Sequence, residues 1–177
     1  MIEKLMKGVT LALGLLMGAT SVAQATDSRT IFTHKQWEVR VVAFDDAKVK
    51  CVAQVNTKGS SFAVWADGVT PARLQFFSQD WNLGQGSADV VVRIDRRPKW
   101  DLTNANLNQQ SVLFDLPNDN DGRRFINEVR RGNVIRLGNA RGNEVGRWSL
   151  SGSSAAVGKL IECVDLLQTD QDDNPFN

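Results

Sequence analysis

The chain has 177 residues, of which 42% are hydrophobic, and its 21 basic and 20 acidic residues give a formal net charge of +1 at pH 7. This length suits one domain with a proper hydrophobic core. Near-neutrality argues against a nucleic-acid binder, whose domain carries a strong excess of basic residues, so we expect no nucleic-acid partner.

The first 25 residues have the pattern of a secretory leader. Lys4 and Lys7 precede an apolar run over residues 9–17, and the small-residue tripeptide Ala-Gln-Ala ends the stretch at Ala25. A basic start, a short apolar run and a small-residue end are typical of a cleaved signal peptide. The apolar run is about half of the roughly 20 residues that span a bilayer. We therefore expect cleavage near Ala25, a periplasmic or secreted location and no membrane-spanning segment.

Strand patterns dominate the chain after the leader. In residues 37–42 and 49–56 apolar and polar residues alternate, and Asp45 with Asp46 supplies a turn between the two segments. This alternation predicts a β-hairpin with one buried face, and the spacing places Cys51 on that face. Six further strands are expected between segments rich in Gly, Asn, Asp and Pro. They cover residues 61–65, 73–79, 88–95, 111–116, 134–137 and 145–150.

Two later segments are predicted to be helical. Residues 121–131 place apolar side chains on one side and have Asp119 or Asp121 available as an N-cap. Residues 153–167 follow the spacing of an amphipathic helix, which puts Cys163 on its inner face.

Together these elements predict a mainly β fold. We expect a single antiparallel β-sandwich or barrel-like domain over residues 26–167, with one or two helices. Residues 168–177 are polar and acidic, and we expect them to form a disordered tail.

The only two cysteines are Cys51 and Cys163. In an oxidising compartment they are expected to form a disulfide, which would tie the C-terminal helix to the sheet. The alternatives are metal ligands, although the sequence has no Cys-x-x-Cys motif, and a catalytic cysteine paired with His34, the only histidine. Because His34 stands in a polar context before the first predicted strand, we expect it to be a surface residue.

The C-terminal region carries a resemblance to a known family. Residues 148–153, Trp-Ser-Leu-Ser-Gly-Ser, lead into an Ala-rich helix that closes with Cys163. This pattern resembles the C-terminal signature of the invasion-associated locus B family of exported proteobacterial proteins. The upstream order is similar too, with a Trp-x-Val strand at Trp37 and a cysteine strand at Cys51, although members often have a further cysteine near the position of Arg40. The resemblance implies a periplasmic or surface-exposed domain, linked in some pathogens to host-cell invasion, and it supplies no catalytic residues.

Two groups of basic residues are candidates for binding. The segment 96–100, Arg-Arg-Pro-Lys-Trp, follows a predicted strand, and two arginine pairs lie near the two ends of the first helix. Guanidinium groups suit the carboxylates or phosphates of envelope polymers, and an exposed tryptophan anchors a partner well. A solvated helix face and turn is the alternative interpretation. The candidate binding residues are Arg96, Arg97, Lys99, Trp100, Arg123 and Arg124.

The five tryptophans fall into two groups. Trp37, Trp65 and Trp148 lie in strand patterns, and we expect them in the core. Trp81 and Trp100 lie beside turn residues, where either packing at the core edge or an exposed position is open.

Catalytic motifs are scarce. Residues 118–122 are similar to the start of a calcium loop, but Glu128 comes too early to complete it. We therefore expect a helix-capping turn there, and no metal or cofactor. Pairs among four aspartates would suit a glycosidase: Asp89, Asp95, Asp101 and Asp115.

The sequence favours a non-catalytic interaction module. Its expected partner is an envelope or host-surface protein or polymer. An envelope hydrolase that uses paired aspartates and a structural subunit of an envelope assembly are the alternatives, and the second of these predicts a broad exposed apolar patch or edge strand.

Overall fold

The computed structural model describes residues 25–172, with side chains from Asp27 to Thr169. The strands are β1 (Ala25–His34), β2 (Trp37–Phe44), β3 (Val49–Thr57), β4 (Ser60–Ala66), β5 (Arg73–Ser78), β6 (Gln85–Ile94), β7 (Trp100–Asn108), β8 (Ser111–Asp115), β9 (Val134–Asn139) and β10 (Glu144–Ser149). The helices are α1 (Asn120–Arg131) and α2 (Ser153–Asp172). The predicted leader, apart from Ala25, and the end of the predicted tail lie outside the described residues.

The strands form one antiparallel sheet in the order β1-β2-β3-β4-β5-β8-β7-β6-β9-β10. The predicted hairpin is present as β2 and β3. The sheet curls so that its far end reaches its first half. Trp148 of β10 donates from Nε1 to Ser60 Oγ of β4 at 3.2 Å, and its ring centroid lies 5.5 Å from that of Phe76 in β5. The predicted mainly β, antiparallel, sandwich-like fold is confirmed.

The main core lies on one face of the sheet. A row of directly opposed residues crosses five strands from Trp37 through Val55, Phe62 and Phe76 to Val112. Each of these side chains is 5% exposed or less. Opposed apolar side chains contact one another and stabilise the pairing of their strands. The row also fixes the register, because a slip of one residue would turn it to solvent.

Trp65 departs from the prediction. It is half-buried on the opposite face of the sheet, where it packs beside Phe44 over a small second cluster. The expectation that Trp65 belongs to the main core is therefore wrong, whereas Trp37 and Trp148 are buried as predicted. Because β4 carries apolar residues on both faces, its sequence pattern does not identify the face that packs into the main core. In β4 the neighbouring Val64 points into the main core.

Helix α1 begins at its predicted cap. Asp119 Oδ1 accepts hydrogen bonds from the backbone N–H groups of Asp121 and Gly122, at 2.8 and 3.1 Å. These bonds satisfy donors that have no partner inside the helix, and they confirm the expected capping turn. Phe125 and Val129 are fully buried, so one side of α1 joins the core and the other carries arginines to the surface.

Helix α2 packs against β1, β2 and β3 on the core side of the sheet. A disulfide joins Cys163 of α2 to Cys51 of β3, with Cα atoms 6.2 Å apart. The predicted pairing is confirmed, and because both cysteines are used, neither is available for a catalytic pair with His34. Helix α2 runs to Asp172, beyond the end predicted at Leu167, so the first part of the expected disordered tail is helical.

Two strands were not predicted from the sequence. β7 is rich in Asn, and its backbone is irregular at Asn104, which has a φ of 57°. The buried residues on either side of it, Leu102 and Ala105, are therefore three positions apart, whereas residues on one face of a regular strand are two or four apart. β1 is polar, and its pairing with β2 shifts register at two points. In both strands an irregularity interrupts the period-two pattern by which strands are recognised.

Candidate functional site

The predicted basic residues lie on two adjoining elements, the turn between β6 and β7 and the outer side of α1. The turn begins at Asp95, whose φ is 55°. The Asp95 carboxylate accepts hydrogen bonds from the backbone N–H groups of Asn133 and Val134, both at 3.0 Å. These bonds tie the turn to the segment that follows α1, which places the turn beside the end of the helix.

Arg97 fastens the turn to α1. Its Nη1 donates to the carbonyl oxygen of Glu128 at 3.1 Å, and its Nη2 donates to that of Arg131 at 3.4 Å. Both carbonyls belong to the last turn of the helix, where no intrahelical donor remains and a cation is favourable. Arg97 therefore positions the turn, and its side chain, 33% exposed, is only partly available to a ligand.

Trp100 is half-buried at the start of β7, against α1. Its ring meets Phe125 edge to face, with centroids 5.3 Å apart, and its Nε1 donates to Glu128 Oε2 at 2.9 Å. The guanidinium of Arg124 lies over the indole, with Cζ 4.3 Å from the ring centroid, which is a cation–π contact. Arg124 also lies 3.3 Å from Asp121. Trp100 thus packs beneath the basic residues, and it is not an exposed side chain that a partner could bind.

Two depressions share Arg97. The first has a volume of about 460 Å³, and besides Arg97 it is lined by Asn120, Arg123, Arg124, Asn127, Glu128 and Arg131. The second has a volume of about 570 Å³ and is lined by Asp95, Arg96, Arg97, Asn133 and Arg136. The lining thus contains six arginines and two carboxylates. These arginines, together with Trp100, are named the basic face: Arg96, Arg97, Trp100, Arg123, Arg124, Arg131 and Arg136.

Five of the six predicted binding residues belong to the basic face. Lys99 does not, because its Nζ pairs with Asp101 Oδ1 at 2.8 Å and it lines neither depression. Arg96 and Arg123 are exposed, and among the described residues neither has a carboxylate partner. Trp81, the other tryptophan beside a turn, is half-buried against the main core.

Arg136 was missed from the sequence. It is a single basic residue within β9, between the buried Ile135 and Leu137, so alternation alone shows only that it points away from the core. The pairing of β9 with β6 brings it to the turn, where its Nη1 donates to the carbonyl oxygen of Asp95 at 3.4 Å. Residues that meet through sheet order leave no local signal in a sequence.

The four aspartates considered for a glycosidase have separate partners. They are the Asn104 N–H for Asp89, the Asn133 N–H for Asp95, the Lys99 ammonium for Asp101 and the Arg73 guanidinium for Asp115. The hydrogen bond from Arg73 lowers the pKa of Asp115 below its ordinary value. A general acid needs the opposite shift. Across residues 25–172, no three His, Cys, Asp or Glu residues are grouped so as to hold a metal ion.

In the described part of the chain, neither helix has the length and apolar character needed to cross a bilayer.

Comparisons with known proteins identify no relative of this chain. No protein-family model matches the chain, and neither a curated protein nor a solved structure matches it significantly.

Proposed function

We propose that this chain is an exported, non-catalytic binding domain whose basic face recognises an anionic polymer of the cell envelope or of a host surface. The observation that carries the proposal is the convergence of six arginines and two carboxylates around two adjoining depressions. Guanidinium groups bind carboxylates and phosphates through paired hydrogen bonds. A polymer that repeats such groups can contact several arginines at once.

The chemistry of the basic face favours binding over catalysis. An arginine side chain stays protonated in proteins, so it supplies charge and hydrogen bonds but does not transfer protons. The two carboxylates in the lining are already engaged, Asp95 by backbone N–H groups and Glu128 by the indole of Trp100. The face is thus equipped to hold negative charge.

The proposed location is the periplasm or the extracellular space after removal of the leader. The leader pattern of residues 1–25 and the Cys51–Cys163 disulfide support this location, because structural disulfides persist in oxidising compartments. The order of the sequence motifs supports a further proposal, that the chain is a divergent relative of the invasion-associated locus B family.

Titration with defined polyanions tests the proposed function. The mature chain, from Thr26 onward, is titrated with polygalacturonate, which offers carboxylates, and with polyphosphate. The face variant R96Q/R123Q/R124Q removes three charges and keeps Arg97 as the contact to α1. We expect the wild type to bind at least one polymer and the face variant to bind it at least about tenfold more weakly, because several ionic contacts are lost.

A matched control removes the same number of charges elsewhere. R29Q/R40Q/R141Q changes three arginines outside both depressions, and among the described residues these three have no salt-bridge partner. The control should bind like the wild type. If the face variant and the control weaken binding equally, or if the wild type binds neither polymer, the proposed function is wrong.

A further inference from the structure

A second surface lies on the outer face of the sheet, opposite the main core. A groove of about 680 Å³ crosses this face. Directly opposed residues of three adjacent strands line it, from Trp65 of β4 through Arg73 of β5 to Asp115 of β8. Its apolar lining consists of Phe44, Trp65, Pro71 and Leu113.

Trp65 is held in place within this groove. Its Nε1 donates to Gln75 Oε1 at 2.8 Å, and Gln75 in turn donates from Nε2 to Ser111 Oγ at 3.0 Å. Phe44 packs beside it, with ring centroids 6.3 Å apart. The indole is therefore half-buried and oriented before any ligand arrives, which lowers the entropy cost of binding against it.

The charged rim of the groove is balanced. Its six charged residues form three ion pairs, so the lining carries no net charge, in contrast to the basic face. The pairs are Lys48 with Asp46 at 2.6 Å, Lys50 with Asp67 at 2.8 Å and Arg73 with Asp115 at 2.6 Å.

The rim groups are also fixed in position. Asp67 accepts hydrogen bonds from the backbone N–H groups of Val69 and Thr70, at 3.0 and 2.7 Å. Arg73 meets Asp115 through two parallel bonds, from Nε at 2.6 Å and from Nη2 at 2.8 Å. The groove thus combines an apolar aromatic floor with fixed donors and acceptors of both signs.

We propose that this groove binds a neutral oligosaccharide, with one sugar ring stacked on Trp65 and its hydroxyl groups hydrogen-bonded to the ion pairs of the rim. A sugar ring with equatorial substituents has an apolar face of axial C–H groups, which suits an aromatic surface. Its hydroxyl groups both donate and accept, so they can bond to the carboxylates and to the Lys50 and Arg73 cations together. β-Linked glucose and N-acetylglucosamine units have this shape.

Other ligand classes fit the groove less well. A hydrocarbon would cover the ionic rim without giving it hydrogen bonds, which is costly. An ionic ligand would meet no excess of opposite charge. An extended peptide could not add to the sheet here, because β2 to β5 and β8 are hydrogen-bonded to neighbours on both sides.

Calorimetric titration of the mature chain with chitotetraose and cellotetraose tests the proposal. We expect binding of at least one of them, weakened at least about tenfold in W65A, as for the loss of a central aromatic anchor. W81A is the matched control, because Trp81 is half-buried outside the groove, and it should bind like the wild type. The face variant R96Q/R123Q/R124Q should also bind like the wild type, which separates this site from the basic face.

A second measurement guards against misfolding of W65A. In the wild type, the indole N–H resonance of Trp65 should shift on addition of the sugar more than those of the other tryptophans, and Q75A, which frees that N–H, should weaken binding. Absence of binding, unchanged binding by folded W65A, or a shift confined to other tryptophans would overturn the proposal. Self-association that W65A abolishes would also overturn it, since a second copy of the chain would then be the occupant.

Discussion

The guanidinium of Arg124 lies over the indole of Trp100, and the same indole donates a hydrogen bond to Glu128. The two helix residues are four positions apart, so they lie on the same side of α1 and hold the ring between them. Because Trp100 begins β7, these contacts join the sheet to the side of α1 that carries the arginines. The arrangement of the basic face thus depends on how the helix packs.

Trp100 should therefore contribute measurably to stability. W100A removes the ring from Phe125 and Arg124, and because Trp100 is half-buried we expect the free energy of unfolding to fall by about 2 to 3 kcal/mol. W100F keeps a ring there and loses the hydrogen bond to Glu128, so its loss should be about 1 kcal/mol. Urea unfolding of both variants measures these differences. Equal losses in the two variants would contradict the contacts described.

A glycine near the start of α1 gives a test in which helix propensity and structure disagree. A Cβ added at Gly122 would overlap the carbonyl oxygen of Pro117. Propensity alone predicts that G122A stabilises the helix by about 1 kcal/mol, whereas the structure predicts a loss of about 1 to 3 kcal/mol. Gly158 of α2 is the matched control, because a Cβ there meets nothing within 4 Å. G158A should therefore raise the thermal midpoint, and G122A should lower it. If G122A raised the midpoint and G158A lowered it, the start of α1 could not lie against Pro117 as described.

The disulfide should carry a large share of the stability. Cys51 and Cys163 are 112 residues apart in sequence, so the bond closes most of the domain into one loop. Loss of that constraint in the unfolded chain is worth roughly 4 to 5 kcal/mol. C51A/C163A should unfold at a much lower urea concentration than the oxidised wild type. A difference below about 1 kcal/mol would not fit a covalent link over so long a loop.

Asp67 should make stability depend on pH. Partial burial raises its pKa, but hydrogen bonds from Lys50 and Thr70 outweigh burial and leave the pKa of Asp67 well below its ordinary value. A carboxylate whose pKa is lower in the folded protein stabilises it above the unfolded pKa, near 3.9, and this contribution disappears as the pH falls. D67N should therefore be less stable than the wild type at pH 7, and the difference should shrink below about pH 4. Thermal midpoints measured across this range would show a constant difference if Asp67 had no such role.

The sequence was sufficient where pattern and local chemistry agree. The hairpin of β2 and β3 alternates regularly, Asp119 stands at the start of an amphipathic segment, and the two cysteines of the sequence allow only one intramolecular pairing. The hairpin and the helix cap are local in sequence, and the two cysteines can pair in only one way within the chain. They predicted the antiparallel class of the fold, one helix cap and the disulfide.

The sequence was insufficient where position depends on sheet order or on which face is inner. Asn104 interrupts the alternation of β7, so that strand was not recognised. Trp65 stands in a strand that is apolar on both faces, and only the complete sheet shows that it lies outside the main core. Arg136 reaches the basic face only because β9 pairs with β6. Long-range pairing of this kind is not encoded in any short segment.

The most direct test of the proposed function is the salt dependence of polyanion binding. The logarithm of the affinity for polygalacturonate or polyphosphate is measured against the logarithm of the sodium chloride concentration. Each ionic contact that releases a counterion steepens this dependence. The wild type and R29Q/R40Q/R141Q should show the same steep slope, and R96Q/R123Q/R124Q a clearly shallower one. A slope that is the same in all three proteins would show that the basic face does not carry the binding.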